Sequence, residues 1–261
     1  KAHYSGDGNY PAADSSCENF TVSKADLTVS TIIHNASHQA VGGATHVALG
    51  SVVHDTATVS GQVGSIVPTG VLTFQFFNTI DCTGSSTSPA TSTEATYYGR
   101  SADSAALAAG LYSYRASVAA DSNYNAAGPA DCEPLTVDKA QLTVTTTIHK
   151  ADHTVVPNDG HVALGTVTHD NADVTGEVAG FPIGAISFTL NAAGIANGST
   201  EAGFDATSVS SAALAAGNYA YNATVAGNDN YLGDTSDQEP FVVDKAQLTV
   251  TTTIHKADHT V

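Results

Sequence analysis

The chain has 261 residues, with 8 Lys+Arg against 25 Asp+Glu, a formal net charge of −17, and neither Met nor Trp. That balance excludes nucleic acid and anionic membrane as partners, because neutralising phosphates takes clusters of Lys and Arg that the sequence does not hold. Hydrophobic residues at 42% argue against wholesale disorder, and no apolar run approaches the roughly 18 residues of a bilayer-spanning helix.

In chain order, residues 1–23 align with the stretch that starts at Arg115, and they are expected to be the closing strands of a preceding repeat. Two copies of one unit follow, at 24–138 and 139–244. HVALGSVVHDTATVSG from His46 returns as HVALGTVTHDNADVTG from His161, and GVLTFQFF from Gly70 returns as GAISFTLN from Gly184. SAALAAGLYSYRASVA from Ser104 returns as SAALAAGNYAYNATVA from Ser211. The copies differ in length mainly between Gly84 and Ser104, which marks a surface loop that tolerates insertion. The final segment, KAQLTVTTTIHKADHTV from Lys245 to Val261, repeats Lys139–Val155 without change and is expected to be the first strand of a following repeat. Such self-similarity signals a repeat architecture. With no initiator Met or signal-type segment, the chain is expected to be an excerpt of a longer protein.

Within each repeat, short Val/Ile/Thr/Tyr/Phe-rich runs alternate with Gly, Asn, Asp and Pro clusters, the mark of strands and turns. Period-two alternation places Val53, Asp55, Ala57 and Val59 on one face and Val52, His54, Thr56 and Thr58 on the other, so His54 and its counterpart His169 are expected to point outward. Leu142, Val144 and Ile148 share one parity, and the strands around Phe74, Phe188, Gly110 and Gly217 follow the same period. SAALAAG reads as a turn before the next strand. About seven strands in ~110 residues predict an all-β fold of tandem immunoglobulin-like β-sandwiches.

These residues resemble the immunoglobulin-like repeats of large bacterial surface proteins. The resemblance rests on VALGxxVxDxAxVxG around Val47–Gly61, the PTGxLTFxFF strand at Pro68–Phe77, the AAGxYxYxAxV strand, and the hairpin at Tyr4–Tyr10. It covers nearly the whole chain and implies a stalk, an adhesin or a fibre-forming protein. The buried Trp of antibody-type domains is missing, and Phe74 and Phe188 are expected to fill that part of the core. Tyr112, Tyr114, Tyr219 and Tyr221 are candidates for a tyrosine corner.

Three cysteines occur, Cys17, Cys82 and Cys132. In repeat register Cys17 and Cys132 are equivalent. The second repeat carries Ala196 and Gln238 where the first has Cys82 and Cys132, so both thiols are missing together. Joint loss predicts a Cys82–Cys132 disulfide, with Cys17 bonded to a partner outside the chain, in an oxidising extracellular compartment.

Each repeat carries four histidines in register, His34, His38, His46 and His54, then His149, His153, His161 and His169. Spacings of 4, 8 and 8 lack the strand-type HxH, and the i,i+4 pair sits in β-branched sequence unlike a zinc helix, so no metal or cofactor site is expected. The loops DGNY at Asp7, DSNY at Asp121 and NDNY at Asn228 read as Asx-turn hairpins rather than calcium loops. No nucleophile elbow, HExxH, phosphate loop or dinucleotide fingerprint occurs, so catalytic residues are not expected and the chain is read as no enzyme. Lys24, Lys139 and Lys245 open their repeats and are expected to pack there. Asn19, Asn35, Asn197 and Asn222 stand in glycosylation sequons.

The expected function is that of a structural segment of a long extracellular surface protein, forming a stalk, fibre or filament from end-to-end domains. The alternative is an adhesin that recognises a glycan or protein through sandwich-end loops, with 84–104 the foremost candidate. The expected partners are neighbouring copies or repeats of itself and, in the alternative, a surface glycan or protein. Neither nucleic acid nor membrane insertion is expected.

Overall fold

The computed structural model describes residues 1–41, 46–93 and 96–260. The β-branched and aromatic runs form strands, and among the described residues there is no α-helix, hence none long and apolar enough to cross a membrane. A hairpin of β1 (His3–Tyr4) and β2 (Ala13–Asp14) opens the chain. The first repeat supplies β3 (Thr28–Asn35), β4 (His46–Val47), β5 (Val53–Ser60), β6 (Leu72–Phe77), β7 (Ser86–Thr87), β8 (Thr91–Ser92), β9 (Gly99–Ser101), β10 (Gly110–Val118) and β11 (Glu133–Val137). Its strands form two sheets, ordered β3-β5-β9-β8 and β4-β11-β10-β6-β7.

The second repeat supplies β12 (Ala140–Gln141), β13 (Thr143–Lys150), β14 (Gly160–Val162), β15 (Thr168–Thr175), β16 (Ile186–Leu190), β17 (Ala193–Ile195), β18 (Ala206–Thr207), β19 (Gly217–Val225), β20 (Tyr231–Leu232), β21 (Asp234–Thr235) and β22 (Glu239–Val243). Its main sheets run β13-β15-β18 and β14-β22-β19-β16-β17. In both repeats the first long strand pairs antiparallel with the next long one, while the short strand between them runs parallel to the last strand in the other sheet. This is an immunoglobulin- or fibronectin-like sandwich connectivity. Two compact units divide the chain. One holds Lys1–Ala44, Val53–Ser104 and Tyr112–Leu135, and the other holds Thr45–Val52, Ala105–Leu111 and Thr136–Val261.

The cores follow the expected alternation. Phe74 packs with Val29, Ala57, Leu72, Ala116 and Val118, and Phe188 packs with Val144, Ala172, Ala223 and Val225. Phe74 and Phe188 are 0% and 1% exposed, each worth about 2–3 kcal/mol of buried apolar surface. The strand that carries each Phe begins beside a close backbone approach. A Cβ on Gly70 would lie 2.0 Å from the Ala119 carbonyl oxygen, and one on Gly184 would lie 1.9 Å from that of Ala226.

The Cys82–Cys132 disulfide is present, with Cα atoms 5.8 Å apart, and ties the loop after β6 to the start of β11. One expectation is overturned. Val53–Ala57 of β5 and Thr168–Ala172 of β15 are buried without a break, so His54 and His169 do not face solvent. The face opposite the core is itself covered, by Tyr97 and Asp103 against His34 and His54 in the first repeat and by Glu201 and Phe204 against His149 and His169 in the second.

The two copies of the 17-residue repeat differ in state. Leu142, Val144 and Ile148 are 0%, 3% and 1% exposed. Their counterparts Leu248, Val250 and Ile254 are 81%, 86% and 92% exposed, and residues 244–255 form no strand.

Candidate metal centre

The antiparallel register of β13 and β15 sets His149 directly opposite His169. Beyond β13 the chain turns sharply. His153 N–H donates to the Lys150 carbonyl at 2.8 Å, Lys150 N–H donates to the Thr154 carbonyl at 2.9 Å, and Asp152 Oδ1 accepts from the Thr154 hydroxyl at 2.6 Å. His153 takes a left-handed φ of 63° in this turn, and its ring comes within 5.6 Å of the His169 ring. Glu201 enters from the loop before β18. One of its oxygens, Oε2, lies 3.1 Å from His149 Nδ1 and 3.2 Å from His169 Nε2, while Oε1 lies 2.5 Å from His153 Nδ1.

These three imidazoles and one carboxylate place a donor atom each within 4.8 Å of all the others. His149 and His169 are buried, Glu201 is half-buried and His153 is exposed. Asn171 braces the group, its Nδ2 donating to Glu201 Oε2 at 2.6 Å and lying 2.9 Å from His149 Nδ1. The Thr207 hydroxyl donates to Asn171 Oδ1 at 2.5 Å and accepts the Glu201 N–H at 2.8 Å. The Asn171 amide first, then the imidazoles, hold the Glu201 carboxyl down at about 2. The carboxylate is therefore ionised at any ordinary pH. Nitrogen donors with one carboxylate form a ligand set suited to borderline divalent metals.

The first repeat draws its histidines together differently. His34 lies opposite His54 with ring centroids 5.7 Å apart, and the His38 ring is 4.9 Å from that of His54. His54 Nδ1 sits 3.1 Å from Asp103 Oδ1, and Arg100 also pairs with Asp103. Burial first, then Arg100, pushes the His54 imidazole below its ordinary range. Where the second repeat has Asn171 and Thr207, the first has Thr56 and Arg100. Glu94, the register equivalent of Glu201, lies outside the described residues. The remaining histidine of each set forms an exposed pair, His46 with Asp138 at 2.7 Å and His161 with Asp244 at 2.8 Å.

Two buried acid groups went unassigned in the sequence. Asp55 and Asp170 are fully buried, Asp55 beside Glu133 and Asp170 beside Glu239. Burial, then the neighbouring Glu133, raises Asp55 to about 9, and burial, then Glu239, raises Asp170 to about 8. Burial likewise raises Glu239 to about 7. The Asp directly after each strand histidine could have flagged them, but an alternating strand leaves open whether the far face is covered.

The Asx turns are present. Asp121 Oδ1 accepts from the N–H groups of Asn123 and Tyr124, at 2.7 and 2.8 Å, and Asn228 Oδ1 accepts from those of Asn230 and Tyr231, at 2.8 and 3.0 Å. Lys24 and Lys139 donate to the carbonyls of Asp121 and Asn228, at 2.5 and 2.6 Å, closing the same hairpins. Tyr124 and Tyr231 beside them are 1% exposed, a role their sequence position did not reveal. Tyr231 donates to the Phe181 carbonyl at 3.0 Å and accepts the Val178 N–H at 2.8 Å. Tyr219, one of the four candidates for a tyrosine corner, has the matching geometry, its hydroxyl donating to the Ala215 carbonyl at 3.1 Å. Tyr114 and Tyr221 are buried in the core. Cys17 is exposed and unbonded within the chain. Of the sequon residues, Asn19 and Asn197 are exposed, while Asn35 and Asn222 are half-buried.

No family model and no curated protein matches this sequence. Among solved structures, the chain is similar to fibronectin(III)-like modules of CbhA from Clostridium thermocellum, at 17% identity over 86% of this chain and 100% of that one, with a TM-score of 0.27. It is also similar to a Corynebacterium diphtheriae protein described as membrane anchored, at 16% identity over 86% of this chain and 60% of that one, with a TM-score of 0.23. With TM-scores below 0.5, these likenesses add nothing to what the strand connectivity already establishes.

Proposed function

We propose that the chain is a structural segment of an extracellular protein, a stretch of immunoglobulin-like modules in tandem that serves reach and strength and performs no catalysis. The observation that carries this reading is duplication, since one sandwich connectivity is built twice from one repeated sequence. Only Asp138 and Lys139 separate β11 from β12, with no Gly/Ser/Pro linker. So short a join favours a stiff fibre. The Cys82–Cys132 disulfide supports an oxidising, extracellular location, and net acidity favours a soluble rod that resists lateral collapse.

The test is imaging of the native material together with single-molecule pulling. Rods or filaments that unfold in repeat-sized steps support the reading, and a compact particle with enzymatic turnover sinks it. Denaturing mass distinguishes two versions. A subunit near 26.4 kDa favours assembly by strand exchange between the 245–261 segment and another copy, and a far larger mass favours one long polypeptide. The longer 84–104 segment of the first repeat, which carries β7, β8 and β9 rather than one open loop, favours the second reading, adhesion, which a glycan or host-protein array with protein substituted at the exposed Ser86, Thr87, Thr91 and Ser92 would separate from scaffolding.

A further inference from the structure

We propose that the second repeat binds one zinc ion through His149 Nδ1, His153 Nδ1, His169 Nε2 and Glu201, as a clasp between the end of the β13–β15 ladder and the loop before β18. Zinc bonds to imidazole nitrogen and carboxylate oxygen are about 2.0–2.2 Å, so the edges of a tetrahedral site are roughly 3.3–3.5 Å. Each histidine donor already stands 2.5–3.2 Å from a Glu201 oxygen, and no donor pair exceeds 4.8 Å. Closing the widest pairs takes a shift of about 1 Å, available from His153 on its exposed turn.

Donor chemistry selects the ion. Calcium and magnesium demand oxygen shells, and this set is three nitrogens and one carboxylate. Four protein ligands leave no position for a reacting water, so the site is structural rather than catalytic. Asn171 Nδ2 lies 2.9 Å from His149 Nδ1, and on zinc binding it yields that nitrogen's lone pair to the ion while keeping its hydrogen bond to Glu201 Oε2. The Thr207–Asn171–Glu201 chain of hydrogen bonds then holds the carboxylate in place, as outer partners do at metal sites. Among the described residues the first repeat shows no such arrangement, and there Arg100 occupies the place of Thr207 and sets a guanidinium beside the imidazoles. One zinc per chain is expected.

The experiment is calorimetric titration of the metal-stripped 261-residue chain with zinc chloride, with cobalt(II) absorption as the geometric probe. The expected result is one equivalent bound at micromolar affinity or tighter, intense visible bands of tetrahedral cobalt, and a zinc-dependent rise in Tm. H153A and E201Q are each expected to weaken zinc at least about 100-fold, and N171A about 10-fold. His153 sits on an exposed turn, so H153A keeps the fold, verified by an unchanged circular dichroism spectrum. Zinc binding no tighter than millimolar overturns the proposal. Binding that survives H153A and E201Q, or that is lost in H38A instead, places the ion elsewhere and overturns it equally.

Discussion

Asp55 and Asp170 occupy the same place in the two repeats, one residue after a histidine near the head of the second long strand. In the unfolded chain such carboxyls ionise near pH 4, whereas the folded repeats hold the proton to about pH 9 on Asp55 and about pH 8 on Asp170. Between those limits the folded state carries more protons than the unfolded one, so unfolding free energy falls as pH rises. The stabilisation is complete below the unfolded value and is lost as pH passes through the folded one. His54 has the opposite sign, since its lowered value costs stability as pH falls below about 6.5. The range from pH 7 to 9 therefore isolates the carboxyls. Urea titrations are expected to show a decline of about 1–3 kcal/mol per repeat across that range, with D170N flattening the second repeat's share. A level profile in the unmodified protein would refute the assignment. Tyr231 provides a second test. Y231F removes the hydroxyl that accepts the half-buried Val178 N–H and is expected to cost about 1 kcal/mol, with Y124F, which frees the exposed Val63 N–H, costing less in the first repeat.

At the scale of elements, the disulfide and the two glycine approaches act on different strands. Cys82 and Cys132 close a loop of 50 residues, worth roughly 4 kcal/mol in the chain-entropy view. Reduction, or the C82S/C132S pair, is expected to lower the unfolding midpoint of the first repeat and leave that of the second unchanged, which two-transition calorimetry would read directly. Conversely, G184A drives a Cβ into the Ala226 carbonyl and is expected to destabilise the second repeat by about 2 kcal/mol or more, without affecting the first. Register explains why the histidine cluster was illegible in sequence. Spacings of 4, 8 and 8 look dispersed along the chain, yet antiparallel pairing puts residues 149 and 169 side by side and a left-handed turn carries 153 back over them. Pairing across strands is long-range information, and a single strand's pattern does not contain it.

Across the molecule, the repeated 17-residue segment separates local from tertiary control. The turn in KADHT forms in both copies, with His153 and His259 both at φ 63° and Lys256 N–H bonded to the Thr260 carbonyl as Lys150 N–H is to Thr154. The strand forms in one copy alone, where β15 and the core are there to receive it. Hydrogen exchange, read on peptides that extend into unique flanking sequence, is expected to show protection over 143–150 and near-immediate exchange over 249–254. Equal protection of both would contradict this picture. Much was legible beforehand, including the strand alternation that buries Phe74 and Phe188, the Asx turns, and the cysteine pair. These depend on interactions within a few residues, or on comparing one copy with the other. The covering of the outer face of β5 and β15, the convergence of His149, His153, His169 and Glu201, and the protonated state of Asp170 were decided by the tertiary structure. Each arises where segments distant in sequence exclude water from the same polar groups, and no local pattern of residues records which segments will meet.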